Sequence, residues 1–137
     1  MISRAFFDTN VLVYADDASA GAKAERAREL LMAALRDRSG VVSTQVLIEY
    51  YAVARRKLGL DATTAMQRAR DYALLDVVPT DKELVLRALE LHQRARIAHW
   101  DALIVQAALA AGCRTLYTED MQDGRVIDGL RLVDPFV

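Results

Sequence analysis

Short apolar runs alternate with stretches of helical period along the chain, and this alternation constrains the fold more than any other feature. Residues 2–7 read as a first strand. Ala24, Ala27, Leu30, Leu31, Ala34 and Leu35 then recur at helical spacing, with Gly40 as the expected stop just beyond. Val41-Val42-Ser43 reads as a second strand, and Thr44 or Gln45 opens a helix to about Leu58, ended by Gly59. Asp61 or Thr63 caps the next helix, which runs to about Ala73. Leu75 to Val78 is a third strand closed by Pro79, and Asp81 caps a helix whose inward stripe is Leu84, Ala88 and Leu91. Residues 100–111 form a helix that is apolar nearly all round and is expected to be central. Arg114 to Thr118 and Leu130 to Val133 supply the last strands. Strands separated by helices imply an α/β fold, with a central, mostly parallel sheet and helices on both faces.

The 137 residues suit a single domain, residues 1–137, with one core. No apolar run approaches the roughly 20 residues that span a bilayer, and the N-terminus lacks the layout of a signal peptide. A cytoplasmic location with no membrane association is the expectation. Cys113 is the only cysteine, which excludes an intrachain disulfide and cysteine-rich metal sites. A formal net charge of −1 argues against a broadly basic nucleic-acid binder. It does not argue against an enzyme that reaches phosphates through cations held in an acidic pocket.

Four carboxylates stand where a parallel sheet would bring them to one edge. Asp8 follows the first strand directly, and the carboxyl ends of strands are where ligands gather in open α/β sheets. Asp120 follows the strand Thr115–Thr118, where a turn aspartate is the alternative reading. Glu49 shares a helical face with Val46 and Val53. There it is costly unless something pairs it or it snorkels at the border of the face. Asp101 opens the apolar helix on the side of Ile104, Val105 and Ala108, where an acid matched to the helix dipole is the alternative. Taken together, four converging carboxylates repel one another and some are pushed toward protonation. A divalent cation removes that conflict, and oxygen-only ligands favour Mg²⁺ or Mn²⁺ over zinc. Such a site, with room for water, suits phosphodiester hydrolysis.

The segments Phe7-Asp8-Thr9-Asn10-Val11-Leu12, Ser43 to Glu49, Trp100-Asp101-Ala102-Leu103-Ile104 and Leu116 to Gly124 carry a resemblance. So does the closing Leu132-Val133-Asp134-Pro135-Phe136. In these the chain resembles the PIN-domain ribonucleases, and within them the VapC-type toxins of bacterial toxin–antitoxin pairs. The resemblance spans essentially the whole chain in order. It implies a PIN fold and a Mg²⁺- or Mn²⁺-dependent endoribonuclease leaving 5′-phosphate and 3′-hydroxyl ends. Asp8, Glu49, Asp101 and Asp120 match the family's acidic quartet, and Asn10 and Thr118 match supporting polar positions. On this reading Asp8, Asp101 and Asp120 anchor one or two cations, and Glu49 is either a further ligand or the group that orients or deprotonates the attacking water. The partners implied are an RNA substrate, a VapB-type antitoxin and a second copy in a homodimer.

Arg55, Arg56, Arg94 and Arg96 are candidates for guiding RNA, as is Lys57, although cations at a helix C-terminus also suit the dipole. Asp123 reads as a turn aspartate before Gly124. Trp100 is expected to pack in the core, His99 to pack locally at the helix entry, and His92 to lie on an exposed helix. Two other readings compete. A phosphatase of the haloacid-dehalogenase type also has an aspartate after its first strand, but it needs a second Asp and a later Thr where this chain has Asn10 and Leu12. A non-catalytic PIN-like scaffold tends to lose acidic residues, and all four are present here.

Overall fold

The computed structural model of the chain describes residues 2–137. Five parallel strands and one antiparallel strand form a single sheet. The strands are β1 (Ala5–Phe7), β2 (Gly40–Ser43), β3 (Asp76–Val78), β4 (Thr115–Tyr117), β5 (Val126–Ile127) and β6 (Leu130–Val133). Their order is β3-β2-β1-β4-β6-β5, with only β5 running antiparallel, against β6. The flanking helices are α1 (Thr9–Ala15), α2 (Ala22–Asp37), α3 (Thr44–Arg56), α4 (Ala62–Tyr72), α5 (Lys82–Ala95) and α6 (His99–Ala110). α1 packs on α2 and α3, α3 on α4, and α5 on α6. This is the α/β layout that the alternating pattern predicts.

The sheet order decides where a site can form. From β1 the chain steps outward through β2 and β3, then returns to lay β4 on the other side of β1. The connections therefore diverge between β1 and β4, and a crevice opens at the carboxyl ends of those two strands. Phe6, Phe7, Val41, Val42 and Leu116 are fully buried along the central strands, which fixes the register there. Burying each large side chain stabilises the fold by roughly 1.5–3 kcal/mol.

Several local expectations change. The first strand is shorter than residues 2–7, and an unanticipated helix, α1, begins two residues after it. Asp8 makes that helix possible. Its backbone is extended and its carboxylate accepts the Thr9 N–H at 2.8 Å. Helix α3 opens at Thr44 as expected, and Ser43 caps it, its hydroxyl accepting the Val46 N–H. That helix ends at Arg56, two residues short of Leu58. Asp61 and Asp81 cap α4 and α5 as their side-chain chemistry predicts.

Gly40 is not a helix stop. Arg38 adopts the left-handed conformation that closes α2, and Gly40 opens β2. A Cβ on Gly40 would lie 2.8 Å from Leu75 Cδ2 and 3.1 Å from Ala34 Cβ. The glycine thus lets α2 and the approach to β3 close on the strand. Helix α6 is buried along Ala102–Val105 and at Ala107 and Ala108, as its composition predicts. Trp100, by contrast, is 62% exposed rather than in the core.

Candidate active site

Asp8 stands at the crevice between β1 and β4 and is buried. One carboxylate oxygen accepts from the Thr9 N–H, and the other accepts from the Thr118 hydroxyl at 2.8 Å. Thr118, itself fully buried just past β4, also accepts from the Asp120 N–H at 3.2 Å. One hydroxyl therefore links the end of β1 to the end of β4 across the switch in sheet order.

Asn10, in the first turn of α1, completes the link. Its amide donates to Asp120 Oδ2 at 3.0 Å, and its carbonyl oxygen accepts from the Glu119 N–H at 3.2 Å. Glu49, on α3, is half-buried. Its oxygens accept from the Thr9 hydroxyl and from the Gln45 amide, each at 2.9 Å. Asp101 lies half-buried in the first turn of α6. The structure thus places all four acids, with Asn10 and Thr118, around one edge of the sheet.

The electrostatics follow from that convergence. Burial pushes the Asp8 carboxyl up to about 6; its two hydrogen bonds oppose the rise, and Asp120 and Glu49 add to it. Asp101 is raised for the same reasons, burial first and then Asp120 and Glu49. Among the described residues, none of the four forms an ion pair. Glu119, next in sequence to Asp120, is the contrast. Its burial acts to raise it, but Lys23 at 2.6 Å and the Tyr14 hydroxyl at 2.7 Å hold it below the usual carboxylate range. Neutralisation was available at this edge, and the four acids do without it.

Among the described residues, no three acidic or imidazole side chains already stand in a group that could hold a metal ion. Glu49 and Asp120 are instead turned onto Thr9, Gln45 and Asn10. The donor set still fits a hard divalent cation, being oxygen-only, negatively charged and in no ion pair among the described residues. A cavity of ≈ 500 Å³ opens beside it, its lining including Thr9, Asn10, Glu49, Asp120, Arg56 and Lys57.

The other basic candidates lie in different settings. Arg55 donates to the Leu60 carbonyl, and Arg94 makes a two-pronged pair with Asp128 at 3.0 and 2.9 Å. Arg96 is exposed at the C-terminal cap of α5. Asp123 accepts the Asp134 N–H and so ties a turn to the C-terminal segment. Sequence reasoning missed Thr9 and Gln45 as holders of Glu49. Only Gln45 leaves a signal, its place four residues before Glu49 on the same helix face.

Residues 5–126 match the family model of the PIN domain. The chain belongs to the PIN-domain family. Solved structures with this PIN fold include VapC20 of Mycobacterium tuberculosis, described as a sarcin-ricin-loop-cleaving toxin. It is 21% identical with a TM-score of 0.68, over 85% of this chain and 89% of that one. A toxin–antitoxin complex from Klebsiella pneumoniae is 23% identical with a TM-score of 0.67, over 96% and 98%. VapBC2 from Rickettsia felis, bound to a DNA fragment from its promoter, is 19% identical with a TM-score of 0.68, over 93% and 96%. No curated protein matches the chain in sequence. No helix among the described residues is long and apolar enough to cross a membrane.

Proposed function

We propose that this PIN domain is a metal-dependent endoribonuclease acting in the cytoplasm as the toxin of a toxin–antitoxin pair. The observation that carries the proposal is the set of four carboxylates gathered at the crevice between β1 and β4, none of them in an ion pair among the described residues. An edge built only to be stable would place a lysine or arginine among them, as Lys23 serves Glu119. Membership in the PIN family and the likeness to toxin structures support the same reading.

In this mechanism Asp8, Asp101 and Asp120 would hold Mg²⁺ or Mn²⁺, and Glu49 would orient the attacking water or take its proton. The bound cation supplies charge stabilisation at the phosphate and lowers the pKa of water. Thr118 and the Thr9 N–H fix Asp8 in place, so that carboxylate needs no rearrangement. Asn10 and Thr9 orient Asp120 and Glu49 at the same edge. Attack by water breaks the P–O3′ bond and leaves a 5′-phosphate and a 3′-hydroxyl.

The test is direct. Purified protein should cleave cellular RNA with Mn²⁺ and stop when the metal is chelated. After brief induction, sequencing of 5′-phosphate RNA ends should show cuts absent from an Asp101→Asn control. Expression should slow growth, and the neighbouring gene should encode a small protein that reverses it and forms a complex with a dimer of this chain. Harmless expression beside an isolated gene would leave a nuclease and remove the toxin. Metal-independent cleavage would remove the mechanism.

A further inference from the structure

Three of the four acids are placed by regular structure: Asp8 caps α1, and Glu49 and Asp101 lie within α3 and α6. Asp120 is the exception. Residues 118–125, which carry it away from β4, belong to no helix or strand. A carboxylate on irregular backbone keeps its direction only if other side chains fix that backbone. Thr118 and Asn10 do so at Asp120 itself, and more of the ties fall on the residue before it, Glu119.

The Glu119 N–H donates to Asn10 Oδ1 at 3.2 Å, and its carboxylate accepts from the Tyr14 hydroxyl at 2.7 Å and from Lys23 Nζ at 2.6 Å. Asn10 and Tyr14 are one turn apart on α1, so a single helix face takes both the backbone and the side chain of this residue. Asn10 also donates to Asp120 Oδ2, which couples the two acids. Lys23 comes from the first turn of α2, where a cation meets the positive end of the helix dipole, so α2 itself gains nothing from it. Its ammonium stands 4.9 Å from the centroid of the Tyr14 ring and 5.7 Å from that of Phe136, and these two rings pack edge-on at 4.9 Å. The Lys23 and Glu119 side chains are 45% and 26% exposed, and pairs so open to water add little to global stability. The effect of this one is local. Tyr14, Glu119 and Asp120 line the same cavity.

We propose that Glu119 is a positioning residue, held by Tyr14 and Lys23 so that the segment after β4 presents Asp120 to the cation. This rests on the metal-dependent reading above and adds a group outside the four acids that sets the affinity for that cation. Field and position predict opposite signs at Lys23. If the pair acted through its charge alone, Lys23→Met would take a positive charge from the neighbourhood and tighten Mn²⁺ binding. If Lys23 holds Glu119 in place, the same change weakens it.

The test is calorimetric titration of Mn²⁺ into wild type and variants, with urea unfolding of the metal-free proteins beside it. Lys23→Met, which keeps the apolar stem on the two rings, should weaken Mn²⁺ binding several-fold, and Glu119→Ala should weaken it roughly tenfold. Glu119→Gln keeps an oxygen for its partners without the charge, and should bind within about twofold of wild type. The Mn²⁺ concentration for half-maximal RNA cleavage should rise by the same factors as Kd. Unchanged or tighter binding in Lys23→Met overturns the proposal, as does Glu119→Gln binding as weakly as Glu119→Ala. So does Glu119→Ala protein that is destabilised in urea yet binds Mn²⁺ like wild type, for the tie is then a structural clamp. If wild type binds no Mn²⁺, the metal-dependent reading falls as well; binding that is equal in wild type and Glu119→Ala removes the positioning role alone.

Discussion

The two ends of α1 carry the same residue type and put it to opposite uses. Asp8 caps the N-terminus of this seven-residue helix and Asp16 its C-terminus. The helix dipole favours a carboxylate at the first position and disfavours one at the second. The hydrogen bonds look alike, since each aspartate accepts from hydroxyls. Asp8 takes that of Thr118, and Asp16 Oδ2 takes those of Tyr50 at 2.5 Å and Tyr72 at 2.9 Å. Yet it is Asp8 whose carboxyl is pushed up to about 6, by burial and then by Asp120 and Glu49. Around Asp16 it is the phenols that respond. Burial, reinforced by Asp16, raises both and keeps them protonated as donors. Hydrogen bonds satisfy the geometry at both ends, but the carboxylate at the N-terminal end also feels the charges of Asp120 and Glu49.

The sharpest way to test this contrast is Asp8→Asn. Cleavage should fall about a thousandfold, or about 4 kcal/mol of transition-state stabilisation, while the metal-free fold survives. Stability against pH checks the cause. Asp8 has a folded-state pKa above its ordinary 3.8, so the folded protein binds this proton more tightly than the unfolded chain. Its contribution is fully present below pH 3.8 and is lost as pH rises through about 6. The gap of roughly two units corresponds to about 3 kcal/mol. Asp101 is shifted in the same direction and adds to the trend. Thermal unfolding of metal-free protein should therefore show stability falling across this range, and Asp8→Asn should flatten the slope. An equal slope in the variant would mean that Asp8 is not the strained end.

Asp16→Ala is the mirror experiment. It strands two phenolic hydroxyls, that of Tyr50 on a fully buried side chain, and should cost about 3 kcal/mol in urea unfolding. Cleavage per folded molecule should stay near wild type. Tyr72→Phe, which removes one donor, should cost about 1 kcal/mol. If Asp16→Ala abolished cleavage in a folded protein, the division between a reactive end and a structural end would fail. Mn²⁺ separates the two more gently. At about a hundredfold excess over its Kd it should stabilise wild type by about 2.7 kcal/mol. Asp16→Asn should gain as much, and Asp8→Asn little.

How much of this the sequence discloses depends on the range of the interactions. The β–α alternation and the meeting of Asp8, Glu49, Asp101 and Asp120 at one edge follow from local period and strand ends, so both are legible. Helix α1 is not. Local period ends the first strand at residue 7 and gives Val11, Leu12 and Val13 no element, whereas the capping of Thr9 N–H by Asp8 starts a helix there. Gly40 looks like local punctuation, but its reason is Leu75, which comes from a distant segment. Trp100 looks like core because aromatics usually are, and nothing local says that the start of α6 is left uncovered. Thr9 and Tyr50 gain their roles from the crossing of α1 over α3, which no periodicity encodes.

That crossing supplies the finest probe of the comparison. α1 is tied to α3 at both ends, by Thr9 to Glu49 and by Asp16 to its neighbour Tyr50. Thr9→Val keeps the shape and the backbone N–H that Asp8 accepts, and removes only the hydroxyl donated to Glu49 Oε2. Gln45 still holds the other oxygen, so Glu49 is loosened and not released. Cleavage should fall roughly fivefold, about 1 kcal/mol, through kcat rather than KM. Urea unfolding should move less than it does for Tyr72→Phe, because Glu49 is half-exposed and water replaces the lost donor. A large loss of stability with unchanged kcat would make the Thr9 tie a structural clamp like the one at Asp16. The two ends of α1 would then differ only in charge, and Glu49 would need no positioning to act.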